Sequence, residues 1–156
     1  MEKLSHILLA TDGSEGALNA AKVAGVLART GDVRVSIVTV HNEDVLLLPA
    51  LEAAVLPGSA PYTPFPRKKT QKLIEAAAAK DILQPTVEAL GEVNATVGKI
   101  HLWGHVVEQI CTFAGDSSVD LIVIGRRGRS VFEELILGGV SSQVVTHASC
   151  AVLVAP

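Results

Sequence analysis

The sequence has no surplus of positive charge. Its 156 residues carry 13 Lys and Arg against 16 Asp and Glu, which gives a formal net charge of −3. A nucleic-acid-binding protein normally needs a basic face to meet the phosphates. The charge balance therefore gives no electrostatic case for nucleic acid as a partner, and none for a membrane surface.

Long apolar runs and cysteine pairs are also missing. No apolar run approaches the ~20 residues of a transmembrane helix, and the first residues show no signal-peptide cleavage pattern. We therefore expect a cytoplasmic protein. The only two cysteines, Cys111 and Cys150, lie in segments typical of a buried helix and a buried strand. We interpret both as core residues rather than as a structural disulfide.

Apolar residues are abundant. Hydrophobic residues make up 49% of the chain and charged residues 19%, which excludes disorder driven by charge. A chain of this length can bury close to ~70% of its unfolded surface in one core. Residues 1–156 are therefore predicted to form a single domain.

Short apolar runs alternate with segments of helical periodicity. The predicted strands are residues 6–11, 33–40, 95–100, 121–124 and 151–154. The predicted helices are one that begins after an N-cap at Asp12 or Ser14 and stops at Gly31, then 67–83 with Pro85 kinking or ending it, 105–114 and 137–147. This alternation predicts an α/β fold of three layers, with a parallel sheet between two layers of helices.

The loops after the first, second and fourth strands are the candidate ligand loops. In open parallel sheets, ligands bind beyond the carboxyl ends of the strands, where the strand order reverses. The first loop is Asp12-Gly13-Ser14, the second is His41-Asn42, and the third begins at Gly125. Asp12 has two interpretations, as a ligand contact or as a helix cap only.

One segment breaks the alternation, a proline-rich insertion at about 42–66 that holds five of the seven prolines. Connections of this length are usually functional lids or mobile insertions, because a typical loop has ~4–6 residues. Its apolar part, residues 45–56, is expected to pack on a partner chain or on the ligand edge. Packing on its own domain is the alternative.

Glycine pairs dominate the loop after the fourth strand. Backbone amides at a helix N-terminus bind phosphate well, and glycine lets the main chain approach the ligand. Gly125 and Gly128 would form one wall and Gly138-Gly139 the other, with Arg126, Arg127 or Arg129 either neutralising charge or remaining solvated. The spacing matches neither dinucleotide nor P-loop motifs, and without the P-loop lysine we do not predict rapid phosphoryl transfer. No Gly-x-Ser-x-Gly elbow is present, so we assign no catalytic residue.

Together these segments closely resemble the universal stress protein family. The resemblance rests on Gly125-x-x-Gly128, nine residues and Gly138, on the flanking 120–124 and Val140-Ser141, and on the terminal 150–156. The opening 7–14 and the block 104–114 are also similar to the family. The resemblance covers the chain except for 42–66.

The resemblance implies a Rossmann-like, adenine nucleotide alpha hydrolase-like fold with five parallel strands. It further implies a homodimer, for which we expect pairing of the C-terminal edge strand, and in one branch ATP or AMP, with or without Mg²⁺, at the strand ends. Asp12 would match the acidic residue near ribose and adenine, His41 a histidine common at the end of strand two, and Asn42 a position where the family usually has valine. The residues expected at the nucleotide are Thr11, Asp12, His41, Asn42, Gly125, Arg127, Gly128, Gly138, Gly139, Val140 and Ser141.

One position departs from the ATP-binding pattern. Gly139 stands where that pattern has Ser or Thr, although Ser141, two residues on, matches a serine that can reach phosphate. We predict an adenine-nucleotide-binding module in a stress response or regulation, which acts through a dimer or an unknown protein partner and is at most a slow ATPase. The alternatives are a dimeric interaction protein of the same fold that binds no nucleotide, and an enzyme for a small phosphorylated substrate, for which we find no base.

Overall fold

The strands form a single parallel sheet. The computed structural model describes residues 3–47, 67–127 and 138–156. Within these ranges the strands run in the order β3-β2-β1-β4-β5, and every neighbouring pair is parallel. Their bounds are β1 (His6–Ala10), β2 (Val33–His41), β3 (Ala95–Trp103), β4 (Leu121–Gly125) and β5 (Ala151–Ala155). The order reverses between β1 and β4, which makes their carboxyl ends the expected place for a ligand.

Helices connect the strands and cover the sheet. They are α1 (Glu15–Ala28), α2 (Arg67–Ala78), α3 (Gln84–Leu90), α4 (Val106–Asp116) and α5 (Gly139–His147), with a short 3₁₀ helix at Glu43–Leu47. The predicted α/β class with five parallel strands is therefore confirmed. No helix in the described part of the chain is both long and apolar enough to cross a bilayer.

The two faces of the sheet build two separate cores, as the side-chain alternation of a strand requires. On one face, Ile7 and Leu9 of β1 pack with the alanines of α1 and with Leu83 and Leu90. On the other face, Leu8 and Ala10 pack in a cluster with residues of α4 and α5. All five strands are thus held between two apolar layers, which confirms the three-layer prediction.

Ser14 is the N-cap of α1. Its side chain accepts a hydrogen bond from the Ala17 amide, and Asp12 instead accepts from the Ser14 amide at 2.9 Å. Gly13 between them has a φ of +76°, a conformation that favours glycine. The carboxylate of Asp12 therefore shapes the turn before the helix, and the cap belongs to Ser14.

The helix after the insertion does not end near Leu83. A π-helical turn, Ala79–Leu83, joins α2 to α3, and the Gln84 amide donates to the Ala79 carbonyl five residues earlier. Pro85 follows in the first turn of α3, where its missing amide proton costs least. Of the two effects predicted for Pro85, a kink or an end, the end was wrong, because the chain stays helical through Leu90 and the π turn shifts the hydrogen-bond register before the proline.

The ends of the insertion lie close together. The Arg67 guanidinium forms an exposed ion pair with the Glu43 carboxylate at 2.8 Å. Of the insertion at 42–66, predicted to be a lid or a partner contact through its apolar part 45–56, residues 48–66 lie outside the described residues. The ion pair therefore shows that Glu43 and Arg67, which lie near the two ends of the insertion, are next to each other.

The amino-terminal edge of the sheet is held by a polar network around the buried His6. Nε2 of His6 lies 2.8 Å from the Ser36 hydroxyl, and the Asp120 carboxylate accepts hydrogen bonds from the Ser5 and His6 amides. Burial is the main cause of a lowered pKa for His6, and the Arg34 charge lowers it further, whereas a hydrogen bond to a backbone carbonyl and the Asp120 carboxylate raise it. A neutral His6 is therefore part of the folded state.

The two cysteines lie on the same side of the sheet. Cys111 on α4 and Cys150, one residue before β5, are both half-buried with free thiols. Burial raises the pKa of both thiols. Both cysteines are therefore predominantly protonated at neutral pH.

Candidate functional site

A cavity of about 210 Å³ opens where the strand order reverses. Its walls come from the carboxyl ends of β1, β2 and β4 and from the first turns of three helices. The lining residues are Ala10, Thr11, Asp12, Ala17, Val38, Val40, Val106, Ile110, Ile124, Gly125, Arg126, Arg127, Gly138, Gly139, Val140 and Ser141. Eight of the eleven residues predicted from the sequence therefore lie together around one cavity.

The turn after β1 forms one side of the cavity. The Thr11 amide continues the ladder by donating to the Val38 carbonyl, so Thr11 is held at the end of the strand. Asp12 follows as a half-buried lining residue, and its carboxylate accepts a hydrogen bond from the Ser14 amide. This places a carboxylate beside the cavity on a turn whose backbone is fixed at both ends.

The first turn of α5 forms the opposite side. Gly138 is its N-cap with no side-chain capping bond, and the first intrahelical bond runs from the Ser142 amide to the Gly138 carbonyl. The amides of Gly139, Val140 and Ser141 precede that bond and have no acceptor within the helix. Such amides, together with the helix dipole, favour an anion.

Two arginines stand next to this helix start. Arg126 is exposed, Arg127 is half-buried, and both line the cavity. The Arg126 amide donates to the Ala155 carbonyl at 2.7 Å, and its carbonyl accepts from the Gly138 amide at 2.8 Å. The two ends of the glycine loop are thus tied to each other and to β5.

The Ser141 hydroxyl is used within the loop. Its oxygen lies 2.9 Å from the Arg126 carbonyl and 3.0 Å from the Gly138 carbonyl, and the side chain is buried. A hydroxyl carries one proton and carbonyls only accept, so that proton is directed to the backbone. Ser141 therefore closes the loop and can meet a ligand only as an acceptor or through its amide.

The glycines of the motif have different roles. A Cβ on Gly125 would lie 2.5 Å from the Gly16 carbonyl carbon, so Gly125 allows the first turn of α1 to approach β4. A Cβ on Gly138 would lie 3.0 Å from the Arg126 carbonyl, whereas a Cβ on Gly139 would meet nothing within 4 Å. Packing therefore restricts Gly125 and Gly138, and Gly139 faces open space.

The remaining wall is aliphatic. It includes Val38 and Val40 from β2, Ile110 from α4 and Ile124 from β4. Val40 was not predicted from the sequence, although the alternation of β2 could have indicated it, because residues 38 and 40 share one face of a strand. This wall suits a flat apolar group.

His41 and Asn42 lie outside the cavity. His41 is on the opposite face of β2 from Val40, where its Nε2 is 2.9 Å from Nδ1 of His101 and its ring packs against Trp103. Burial and the His101 charge lower the pKa of His41. Asn42 is exposed and accepts a hydrogen bond from the Asp44 amide at 2.9 Å. A position directly after a strand is therefore not enough to predict which side chains face the cavity.

Gly128 and Arg129 fall outside the described residues. Among the residues that are described, no group of three or more His, Cys, Asp or Glu side chains is placed to hold a metal ion. Mg²⁺ typically binds through one or two carboxylates together with substrate phosphates. Asp12, which lines the cavity, is such a carboxylate, so the donors fit Mg²⁺ only when a phosphate accompanies it.

Comparison with curated proteins finds close relatives of this chain. It is 31% identical over 152 residues to universal stress protein MJ0531 of Methanocaldococcus jannaschii, covering 95% of this chain and 79% of the relative. It is 29% identical over 150 residues to universal stress protein YxiE of Bacillus subtilis, covering 96% and 97%.

Solved structures share the fold. Protein MJ0577 of M. jannaschii superposes with a TM-score of 0.77 at 24% identity, over 97% of this chain and 95% of that one. A universal stress protein of Archaeoglobus fulgidus in complex with dAMP gives 0.61 at 21% identity over the full length of both chains. An Arabidopsis thaliana protein of the same family with AMP bound gives 0.60 at 16% identity, over 97% and 90%.

The sequence profile of the universal stress protein family matches residues 3–156, which is nearly the whole chain. The match includes the insertion that the sequence resemblance had left out. The chain belongs to the universal stress protein family.

Proposed function

We propose that the cavity binds an adenine nucleotide and that the protein is a binding module. The observation that carries this proposal is that one cavity combines a surface suited to an anion with a surface suited to an apolar ring. Amides at the start of α5 that have no acceptor within the helix, together with two arginines, suit a phosphate, and the aliphatic wall with Val40 suits a base. The AMP and dAMP bound by two family members of the same fold support it.

Asp12 has a role in this proposal that the geometry supports. It lines the same cavity, and a carboxylate there can accept hydrogen bonds from ribose hydroxyls. When a nucleotide and Mg²⁺ are bound together, Asp12 and the phosphates would supply the oxygen ligands of the ion. We assign no catalytic base, so hydrolysis of ATP would be slow.

The first experiment asks whether the protein carries nucleotide. Freshly purified protein is denatured and the released small molecules are identified by mass spectrometry, then nucleotide-free protein is titrated calorimetrically with ATP, AMP and adenosine. Binding of all three, with adenosine weakest, is expected because adenosine lacks the phosphate. No released nucleotide and no heat with any of them would refute the proposal.

A variant pair tests whether the apolar wall holds the base. Val40→Asp places a carboxylate in the wall at the end of β2, and Val26→Asp places one on the exposed face of α1, outside the cavity. We expect Val40→Asp to weaken adenosine and ATP by at least tenfold, and Val26→Asp to bind as the wild type does. Circular dichroism checks that both remain folded.

A dimeric interaction protein without nucleotide is the second candidate. The observation in its favour is that the residues of α5 that line the cavity offer no hydroxyl proton to a ligand, since Gly139 has no side chain and the proton of Ser141 goes to the backbone. We propose a homodimer through the edge strand β5 in either case, with an unidentified protein partner. A cytoplasmic location also remains a prediction.

A further inference from the structure

A buried hydrogen-bond chain leads from the cavity into the long helical segment α2–α3. Thr11 lines the cavity, and its Oγ1 lies 2.8 Å from Oγ1 of Thr86 on α3. Thr86 is fully buried at 0% exposure and does not line the cavity. A contact between two buried hydroxyls therefore connects the turn after β1 to a helix that does not line the cavity.

The direction of every bond in the chain is fixed by its ends. The Ile82 carbonyl can only accept, so the Thr86 hydroxyl, 2.7 Å away, donates to it. The Gly13 amide can only donate, and it does so to Thr11 Oγ1 at 3.2 Å. The single remaining proton, that of Thr11, goes to Thr86. The chain runs from Gly13 through Thr11 and Thr86 to Ile82 with no polar atom left over.

The π turn supplies the end of this chain. Ile82 and the buried Leu83 lie within the π turn Ala79–Leu83, and Thr86 is buried on α3 together with Leu90. A π turn inserts one residue into the helical register, and such turns are frequent at functional sites. The helical register that follows the π turn directs the side chain of Thr86, rather than that of an adjacent residue, toward Thr11.

We propose that Thr86 is a positioning residue for the nucleotide, acting through Thr11 on the turn that carries Asp12. The proposal rests on the proposed function, since it concerns the same cavity. The turn needs such support because Gly13 holds a positive φ and its amide bonds to Thr11 Oγ1. Without the Thr86 hydroxyl, the Thr11 hydroxyl loses its acceptor, and the side chain that accepts from the Gly13 amide is no longer held in place.

The main test compares three variants. Thr86→Val keeps the shape of the side chain and removes the hydroxyl, and Thr86→Ser keeps the hydroxyl. Thr146→Val is the matched control, because Thr146 also donates to a carbonyl four residues earlier, that of Ser142 at 3.0 Å, but on the exposed side of α5. We expect Thr86→Val to bind AMP and ATP about tenfold more weakly, which corresponds to ~1.4 kcal/mol. Thr86→Ser and Thr146→Val should stay within about threefold of the wild type.

A second measurement does not depend on nucleotide. Amide hydrogen exchange of Gly13, followed by NMR in the nucleotide-free protein, should be about tenfold faster in Thr86→Val and unchanged in Thr86→Ser and Thr146→Val. Thr86→Ala is measured alongside, so that a folding failure of Thr86→Val leaves a variant that also lacks the hydroxyl. A general loss of stability would instead speed exchange at core amides such as that of Leu9.

The outcomes separate this inference from the proposed function. If the wild type binds nucleotide and the variants without the hydroxyl bind equally well, Thr86 does not position the ligand. If the wild type binds none, the proposed function fails, and Gly13 exchange alone decides whether Thr86 holds the turn. Unchanged Gly13 exchange in the variants without the hydroxyl would overturn the inference in either case.

Discussion

Gly139→Ser should tighten the binding of ATP about tenfold. Gly139 is the first residue of α5, lies at the cavity, and faces open space, since an added Cβ would have no neighbour within 4 Å. Its φ is not in the left-handed region, so serine can adopt the backbone conformation. The substitution therefore places a hydroxyl beside the amides of the helix start without steric cost.

The magnitude follows from one added hydrogen bond. A charge-assisted hydrogen bond to phosphate contributes ~1.5–3 kcal/mol, from which ordering the small serine side chain subtracts a fraction of 1 kcal/mol. About 1.4 kcal/mol remains, which is a factor of ten in the dissociation constant. Gly139→Ala is the matched control, because it also adds a Cβ and stiffens the helix start relative to glycine, but has no hydroxyl.

Calorimetric titration with ATP and adenosine distinguishes the possible outcomes. Tighter ATP with unchanged adenosine in Gly139→Ser alone would locate the gain at the phosphates. A gain shared with Gly139→Ala would come from the stiffer helix start. Equal ATP affinity of the two variants, both folded, would refute the idea that position 139 faces phosphate.

Three further predictions concern the edge strand, the amino-terminal network and the glycine packing. Val152→Pro should give a folded monomer by light scattering. The Ala155 carbonyl points to β4, so by alternation the amide of residue 152 points away from the sheet and proline removes no hydrogen bond within it. Leu153→Pro, whose amide points toward β4, should lower stability instead. In urea titrations from pH 8 to 5, His6→Gln should lose less stability than the wild type. The pKa of His6 is lowered on folding, so its contribution is complete above about 6.5 and is lost as the pH falls below that value. Gly125→Ala should cost about 1–3 kcal/mol of unfolding free energy, because its Cβ would lie 2.5 Å from backbone of α1.

Each of these has a result that would contradict it. A folded Val152→Pro dimer would move the interface away from β5. If the free energy of unfolding fell equally with pH in His6→Gln and in the wild type, the acid sensitivity would come from another group. His41, whose pKa is also lowered, would be the next candidate. A Gly125→Ala variant as stable as Gly139→Ala would mean that α1 can withdraw from β4 at little cost.

Strands and helices could be predicted where one physical signal dominated. The apolar run Leu121–Gly125 is buried on both faces, and a continuous apolar run predicts such a strand directly. β3 was predicted only to residue 100 but continues to Trp103, because its polar residues Lys99 and His101 are tolerated at an edge and pairing with β2 extends the strand. Tertiary pairing, which the local sequence does not contain, decided that boundary.

The candidate site was predicted by loop position, and the predicted residues line the cavity where the chain turns directly after the strand. Thr11 and Asp12 reach the cavity because β1 ends beside it. His41 was placed there by the same reasoning, but β2 runs on to residue 41 and its alternation turns that side chain to the other face. The Thr86 contact could not be predicted, since it depends on a π turn for which the sequence offers only Pro85 as a signal.

The glycine motif combines two requirements that can be separated. Gly125 and Gly138 are restricted by backbone packing of α1 and of the loop, so the fold needs them whether or not a nucleotide binds. Of the motif glycines that the structure describes, Gly139 alone faces open space, so packing does not select its side chain. Contact with a ligand would therefore decide which residue is favoured at position 139 more directly than at Gly125 or Gly138. The motif as a whole indicates the fold, and we predict that substitutions at position 139 change nucleotide binding with little change in stability.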